Sequence, residues 1–504
     1  MADSIERLKE LDSEIQKLSH VTALLSWDQE IYMPEGAIEE RAEQKALLEG
    51  MIHERVTSPE MADIFNKLGL SDSKAALPGL TGTDQAFLRE AHRRYRLQSK
   101  LPTKLVRRIS KETSLALAKW AEAREQVDFT IFSGNLETIL MLVREKADAL
   151  GYEEHIYDPL LDEFEPWMKT KELQEVFRSV QKGLTALLSR ITASGTRVES
   201  GFLKREYPVD KQRQLSLSVL KSMGYDFEYG RLDLSAHPFT ITLGATDVRL
   251  TTRYDRNFFP KGLFGTIHEG GHGLYELGIA PELHGSLLAD GTSMGIHESQ
   301  SRLWENFIGR SRAFWHWFYP QVKELFPAVL ADIDLDTFYR GINGVEPSFI
   351  RVEADEVTYN LHIILRFNLE RVLVSGDLKV KDLPEAWNQE SRELLGITPP
   401  DVSLGVLQDI HWSMGGIGYF PTYALGNLYA AQFFRTLKKE LPRAEGEVEQ
   451  GNFSAVVAWL REKIHSPGKV YTAGELCTRV TGESLNPDYY LQYLEEKYGA
   501  VYGI

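Results

Sequence analysis

The sequence predicts a mainly α-helical protein in which a single β-hairpin interrupts the helical pattern. Most segments carry apolar residues at three- and four-residue spacing, which places them on one helical face. The 504 residues are 43% hydrophobic and 26% charged, as in ordinary globular proteins. A chain of this length forms two or more domains, or one large domain divided by a cleft.

Two helical stretches illustrate the pattern. Residues 171–193 carry regularly spaced leucines and end at the Ser194-Gly195 turn. A further helix is predicted from about Asp210 to Met223, with Gly224 supplying the left-handed position after the last turn. Near the N-terminus an apolar stripe predicts a helix that packs on a core or on another helix; it consists of Ile5, Leu8, Leu11, Ile15 and Leu18.

The helical rhythm is interrupted between residues 237 and 254. His237–Leu243 alternates apolar and polar residues, Gly244–Asp247 has turn composition, and Val248–Tyr254 is rich in β-branched side chains. This pattern predicts a β-hairpin.

Composition also bears on compartment and partners. The formal net charge of −16 would repel phosphate backbones, so we expect no nucleic acid partner. The single cysteine, Cys477, cannot form a disulfide within the chain, which favours a reducing compartment. The first 16 residues lack the features of a secretory signal, and no apolar run approaches the roughly 20 residues of a membrane span. We therefore expect a cytoplasmic protein without a membrane partner.

The strongest local motif is His268-Glu269-Gly270-Gly271-His272. Histidines four residues apart project from one face of a helix, so both rings can reach the same ion. Glu269 is offset around the helix, where it can contact a water bound to zinc. Zinc lowers the pKa of such a water to about 7. Two glycines inside a helix cost up to about 2 kcal/mol, which indicates close approach of a neighbouring strand or of substrate.

A catalytic zinc site needs a third protein ligand. Gly278 excludes a histidine at the position that the extended motif would require. The favoured ligand is Glu298 on a second helix, because residues 280–295 contain proline and glycines that can reverse the chain. Glu276 is alternatively a structural anchor or a hydrogen-bond partner of a ligand. The competing candidate ligands are His284, His297, Glu276 and Glu282.

Six ordered motifs extend this pattern over residues 237–412. They are His237-Pro238-Phe239, Asp247-x-Arg249-x-Thr251, His268-Glu269-x-x-His272, His297-Glu298-Ser299-Gln300, Ile350-Arg351-x-x-Ala354-Asp355 and Gly405-x-x-Gln408-Asp409-x-His411-Trp412. The set resembles the carboxypeptidase Taq family of metallocarboxypeptidases, and the overall length is also similar.

The resemblance implies an almost wholly helical fold in which two halves flank a deep groove beside a small sheet, similar to neurolysin and angiotensin-converting enzyme. It implies His268, His272 and Glu298 as metal ligands, Glu269 as general base, zinc or cobalt as the metal, and a homodimer. We accordingly expect one domain over residues 1–504. Residues 1–200 would form a helical groove wall, residues 201–430 the catalytic part with the hairpin and metal site, and residues 431–504 the C-terminal helices.

An enzyme that acts at chain ends must recognise a terminal carboxylate, and arginine does so with two parallel hydrogen bonds. Arg351 is the first candidate, followed by Arg249 and Arg253, with surface or interhelix salt bridges as the alternative for each. Gln408 and Asp409 are either substrate contacts or supports for such contacts.

Other motif residues suggest substrate contacts. The hairpin can bind an extended peptide through its backbone, and His237 is a candidate for a hydrogen bond with that peptide. The glycine-rich segment 411–423 presents His411 and Tyr419 to the oxyanion or to the terminal carboxylate. Tyr423 is the reserve candidate, and aromatic packing explains it nearly as well.

The predicted function is metal-dependent release of C-terminal amino acids from peptides, with broad specificity, by Glu269-assisted attack of a zinc-bound water. An oligoendopeptidase or dipeptidase on the same scaffold is the nearest alternative. A non-catalytic peptide-binding protein with a structural metal is a second one. The base at Glu269 and the single cysteine argue against it, because structural zinc sites prefer cysteine ligands.

Overall fold

The computed structural model describes residues 2–70, 80 and 82–504. Within this part the chain forms 21 α-helices and one three-stranded sheet. The mainly helical fold and the small sheet are therefore as the sequence predicts. None of the helices in the described ranges is both long and apolar enough to cross a membrane.

The first eight helices build the N-terminal part. The predicted stripe on the first helix is buried at Ile5, Leu8, Leu11 and Ile15. The bounds are α1 (Ala2–Ile31), α2 (Ile38–Val56), α3 (Pro59–Lys67), α4 (Gly82–Ser99), α5 (Thr103–Gln126), α6 (Thr130–Leu150), α7 (Asp158–Asp162) and α8 (Thr170–Ala193).

The remaining helices surround the metal motif and complete the main core. As predicted, α9 ends at Met223, and Gly224 follows with a φ of 90°. A π-helical turn, Leu303–Ile308, continues α11. The bounds are α9 (Val209–Met223), α10 (Phe259–Leu277), α11 (Met294–Arg302), α12 (Arg312–Leu325), α13 (Pro327–Leu330), α14 (Leu335–Ile342), α15 (Tyr359–Ser375), α16 (Leu383–Leu395), α17 (Pro421–Glu440), α18 (Ala444–Val448), α19 (Ser454–Leu460), α20 (Ala473–Thr481) and α21 (Asp488–Tyr502).

The predicted hairpin is present and belongs to a slightly larger sheet. Strands β2 (Thr240–Gly244) and β3 (Asp247–Thr252) pair antiparallel. Strand β1 (Leu232–Leu234) pairs parallel with β3, so the strand order is β1-β3-β2. The sequence did not predict β1, because three residues are too few to show an alternating pattern.

Two hydrophobic cores divide the molecule. The larger core contains most helices from α5 onward together with the sheet. A smaller core joins α1, α3 and α4 to the segment Ile279–Leu288, which connects α10 to α11. Helices α1, α3 and α4 thus pack on the connection between the two helices that carry the metal motif.

Candidate metal centre

Three candidate ligands meet between α10 and α11. The Oε2 atom of Glu298 lies 3.5 Å from His268 Nε2 and 3.4 Å from His272 Nε2. Ligand atoms about 2.0–2.1 Å from a tetrahedral metal lie roughly 3.4 Å from one another, so the three side chains fit one zinc-like cation. No second group of three or more potential ligands is found in the described parts of the chain.

The glycines of the motif allow α10 and α11 to approach closely. A Cβ atom at Gly271 would lie 2.7 Å from the carbonyl oxygen of Gln300 and from the Cα of Ser301. The close neighbour at this glycine is therefore the backbone of α11, rather than a strand or a substrate. This contact brings Glu298 to the two histidines.

Arg302 and Glu305, which follow Glu298 in the chain, hold His268 and Glu298 in place. The Nδ1 atom of His268 lies 2.9 Å from Glu305 Oε2. Arg302 donates to Glu298 Oε1 at 2.6 Å and to Glu305 Oε2 at 3.2 Å. Sequence reasoning missed Glu305 and Arg302, although residues 298, 302 and 305 follow the four- and three-residue spacing of one helical face.

The competing candidates His297 and Glu276 lie behind His272. The Nδ1 atoms of His297 and His272 are 2.6 Å apart, and His297 Nε2 lies 2.7 Å from Glu276 Oε1. The Nε2 atom of His284 lies 3.2 Å from the carbonyl oxygen of Ile279. These residues, and the exposed Glu282, are not members of the group that can share a metal.

The charges of the centre suit a cation. Burial would raise the pKa of Glu298, but Arg302 and the two imidazoles outweigh it and hold that pKa well below its ordinary range. Burial lowers the pKa of His272 to about 3 and so favours a neutral ring with a free lone pair. For His268 burial has the same sign, but the carboxylates of Glu298 and Glu305 outweigh it and raise the pKa.

Glu269 lies beside the ligand group without belonging to it. Its side chain is buried, and its Oε2 accepts a 2.7 Å hydrogen bond from Thr240 Oγ1 on β2. Burial raises the pKa of this carboxyl, while the nearby His268 opposes the shift. A buried carboxyl with a raised pKa can accept a proton and return it.

Arg351 is 5% exposed and is held in a fixed orientation. Its Nε and Nη2 donate to Asp409 Oδ1 at 3.1 and 2.9 Å, and its Nη1 donates to the Tyr359 hydroxyl at 3.1 Å. Asp409 also accepts from Arg366, so two guanidinium groups share one carboxylate and leave a net positive charge. Gln408 Oε1 accepts from the Arg351 backbone N–H. Gln408 and Asp409 thus both hold Arg351.

His411, Tyr419 and Tyr423 form an aromatic cluster next to Arg351. The ring centroids of His411 and Tyr419 are 5.4 Å apart, those of the two tyrosines are 5.3 Å apart, and the Arg351 guanidinium lies 4.9 Å from the Tyr423 ring centroid. Burial lowers the pKa of His411 to about 4, so its ring is neutral and carries one N–H donor. Its Nδ1 is buried and has no hydrogen-bond partner among the described residues.

Tyr359 connects this cluster to the metal group. Its ring lies 4.3 Å from the guanidinium of Arg302, which holds Glu298, and its hydroxyl accepts from Arg351. Arg351 and the candidate metal ligands are therefore connected through Tyr359 and Arg302. Sequence reasoning did not identify Tyr359, because no motif includes it.

The other predicted substrate residues have different surroundings. Arg249 donates to both carboxylate oxygens of Asp247 and lies 4.3 Å from the Trp27 ring centroid. Arg253 donates to the carbonyl oxygen of Ala236 at 3.2 Å. His237 is exposed just before β2.

A helical fold whose histidines and glutamate gather from two adjacent helices, with a buried glutamate beside them, defines a metallopeptidase. The family model described as carboxypeptidase Taq (M32) metallopeptidase matches residues 7–498. The chain belongs to this family, as the six motifs predict. It is thus a metal-dependent carboxypeptidase, and the family implies a divalent cation.

Similar proteins match nearly the whole length of the chain. The chain is 43% identical to thermostable carboxypeptidase 1 of Thermus thermophilus, over 99% of each protein. It is 41% identical to carboxypeptidase 1 of Bacillus subtilis, over 98% of each. The crystal structure of an M32 carboxypeptidase from Deinococcus radiodurans superposes with a TM-score of 0.95 at 36% identity, covering 100% of both chains.

Proposed function

We propose that the enzyme releases single C-terminal amino acids from peptides with broad side-chain specificity. The observation that carries this proposal is the hydrogen bonding of Arg351. A guanidinium has five N–H donors, and three of those of Arg351 are engaged by Asp409 and Tyr359. One N–H remains on each terminal nitrogen, and a contact with both oxygens of a terminal carboxylate needs two such donors.

We assign a zinc ion to His268, His272 and Glu298, with cobalt as an alternative that accepts the same donors. When bound, such a cation supplies Lewis acidity that polarises a peptide carbonyl and acidifies water. Neutral imidazoles and one ionised carboxylate are the donor set that catalytic zinc sites use.

Glu269 is the proposed general base. It accepts a proton from the attacking water as the hydroxyl oxygen bonds to the carbonyl carbon. It then returns that proton to the leaving nitrogen as the C–N bond breaks. The hydrogen bond from Thr240 keeps the carboxyl in place. His411 and Tyr419 supply N–H and O–H donors for the developing oxyanion, with Tyr423 in reserve.

Broad specificity follows from recognition of the backbone. Strand β2 lies at the edge of the sheet, and within the described residues no further strand pairs with its outer side. A peptide that adds to this edge is held by main-chain hydrogen bonds that do not depend on side chains. His237 is exposed just before β2, and we assign it a hydrogen bond to such a peptide. Arg249 and Arg253 rank below Arg351 as carboxylate ligands.

We further propose a cytoplasmic homodimer built from a single domain over residues 1–504. The lone Cys477 is buried and free, which suits a reducing compartment. The net charge of −16 disfavours nucleic acid as a partner. A solution mass of twice the 57.3 kDa of one chain supports the dimer, and a mass of one chain contradicts it.

The test compares one peptide with a free and with an amidated C-terminus. The free peptide should lose residues one by one from its C-terminus, and the amidated peptide should remain intact. Chelation should abolish release, and zinc or cobalt should restore it. Internal cleavage of both peptides would support the oligoendopeptidase alternative, and cleavage of dipeptides alone the dipeptidase. Metal binding without hydrolysis would support the peptide-binding protein.

A further inference from the structure

The two histidine ligands differ in what holds their outer nitrogens. His268 contacts the carboxylate of Glu305 directly, with 2.9 Å between Nδ1 and Oε2. His272 contacts another histidine, His297, whose far nitrogen contacts the carboxylate of Glu276. The second arrangement therefore reaches a carboxylate through one intervening ring.

The hydrogen bonds of this chain allow one assignment of protons. If His272 Nε2 offers its lone pair to a metal, the ring proton of His272 is on Nδ1. The facing Nδ1 of His297 then accepts that proton's hydrogen bond, so His297 carries its own proton on Nε2. That proton points to Glu276 Oε1 at 2.7 Å. Both nitrogens of His297 are thereby used.

The His297 ring is also fixed by its packing. A Cβ atom at Gly291 would lie 2.6 Å from His297 Cδ2, so the backbone of residue 291 lies against the edge of the ring. The Tyr275 ring centroid is 5.2 Å from that of His297. Glu276 is buried, at 8% exposure. The ring is confined by its neighbours as well as by its two hydrogen bonds.

We propose that His297 and Glu276 are positioning residues that fix the tautomer and orientation of His272, as Glu305 does for His268. This inference rests on the metal assignment made above. A carboxylate behind a ligating histidine fixes the ring so that the lone pair of the histidine is directed at the metal. Loss of such a partner typically lowers metal affinity about 10- to 100-fold.

The test measures the zinc dissociation constant of the purified full-length enzyme by competition with a chromophoric chelator, together with the visible spectrum of its cobalt form. His297→Leu removes both hydrogen bonds and should weaken zinc binding about 10- to 100-fold and change the cobalt spectrum. His297→Asn places an oxygen near the position of Nδ1 and should lose less. Glu276→Gln keeps an accepting oxygen and should lose less than Glu276→Ala. Exposed His316 provides the control, His316→Gln, with unchanged zinc affinity.

Wild-type zinc affinity in His297→Leu would overturn the inference. Equal losses in His297→Leu and His297→Asn would also overturn it, because a general packing defect does not distinguish the two side chains. Failure of the wild-type enzyme to bind zinc or cobalt would instead contradict the metal assignment itself.

Discussion

At the residue scale, the proposed carboxylate contact of Arg351 depends on a buried positive charge that is only partly balanced. Asp409 lies between Arg351 and Arg366, and the three groups together carry one uncompensated positive charge. An uncompensated buried charge is costly. If Arg351 binds the terminal carboxylate as proposed, that carboxylate balances the remaining positive charge.

Replacing Arg351 by lysine keeps the charge and removes the planar pair of donors. We expect kcat/KM for peptides with a free C-terminus to fall about 10- to 100-fold, mostly through KM, because a hydrogen bond to a charged group contributes about 1.5–3 kcal/mol. Steady-state kinetics of Arg351→Lys, Arg249→Lys and Arg253→Lys would compare the three candidates. A large loss in Arg253→Lys with normal kinetics in Arg351→Lys would reverse the assignment.

Single residues differ in how far the sequence could identify them. His268 and His272 follow from their spacing on one helix, and Gly278 excluded the extended motif. The roles of His297 and Glu276 could not be separated from those of ligands, because they depend on how α11 lies against α10. Glu305 has a visible helical spacing from Glu298, but nothing local showed that His268 would face it.

At the scale of elements, helix α15 anchors the glycine-rich segment 411–423 to the core through Glu370. Glu370 accepts hydrogen bonds from Trp412 Nε1 at 2.8 Å, from the Gly418 N–H at 3.1 Å and from the Tyr157 hydroxyl at 2.6 Å. Burial raises the pKa of Glu370 to about 7, although these donors oppose the shift. The residue thus ties both ends of the segment between His411 and Tyr419 to the core.

This raised pKa predicts a pH-dependent stability. A carboxyl with a pKa of about 7 when folded and 4.5 when unfolded stabilises the fold fully below pH 4.5. Its contribution is lost as pH rises through 7, by an amount on the order of 3 kcal/mol. The melting temperature of Glu370→Gln should therefore rise relative to wild type between pH 5 and pH 8. Exposed Glu125 provides the control, Glu125→Gln, and a difference that does not change with pH would contradict the prediction.

Helices and strands were predictable from the sequence where their pattern of apolar residues extends over many positions. The buried positions of α8 repeat the spacing seen in residues 171–193, and the hairpin strands show alternation and turn composition. The π-helical turn at Leu303–Ile308 has no comparable sequence signal. Glu305 lies in this turn, and its contact with His268 also depends on how α11 lies against α10, which the spacing from Glu298 does not show.

At the scale of the whole molecule, helix α1 packs on the sheet, and part of this contact is aromatic. The Trp27 ring of α1 lies under the guanidinium groups of Arg249 and Arg231, at 4.3 and 5.3 Å. The Tyr32 hydroxyl donates to Asp233 at 3.0 Å. Composition and spacing could not predict this contact, because its partners are about 200 positions apart in the sequence.

Removing the Trp27 ring should loosen α1 from the sheet. Trp27→Ala deletes a side chain that is 5% exposed, and such truncations typically cost about 3–5 kcal/mol. We expect faster amide hydrogen exchange throughout α1, with less change in α10 and α11, because α1 belongs mainly to the smaller core. Leu47→Ala, at a 66% exposed position of α2, is the control. Unchanged exchange in α1 would show that the contact does not hold the two parts together.

The proposed hydrolysis depends on a metal held by His268, His272 and Glu298 with Glu269 as the base beside it. The most direct measurement is the metal content and turnover of Glu269→Gln, because glutamine preserves the shape of the side chain and cannot accept the proton. We predict about one zinc or cobalt ion per chain, as in wild type, with release of C-terminal residues reduced by about 10²-fold or more. Normal turnover in this variant, or loss of the metal together with activity, would contradict the assignment.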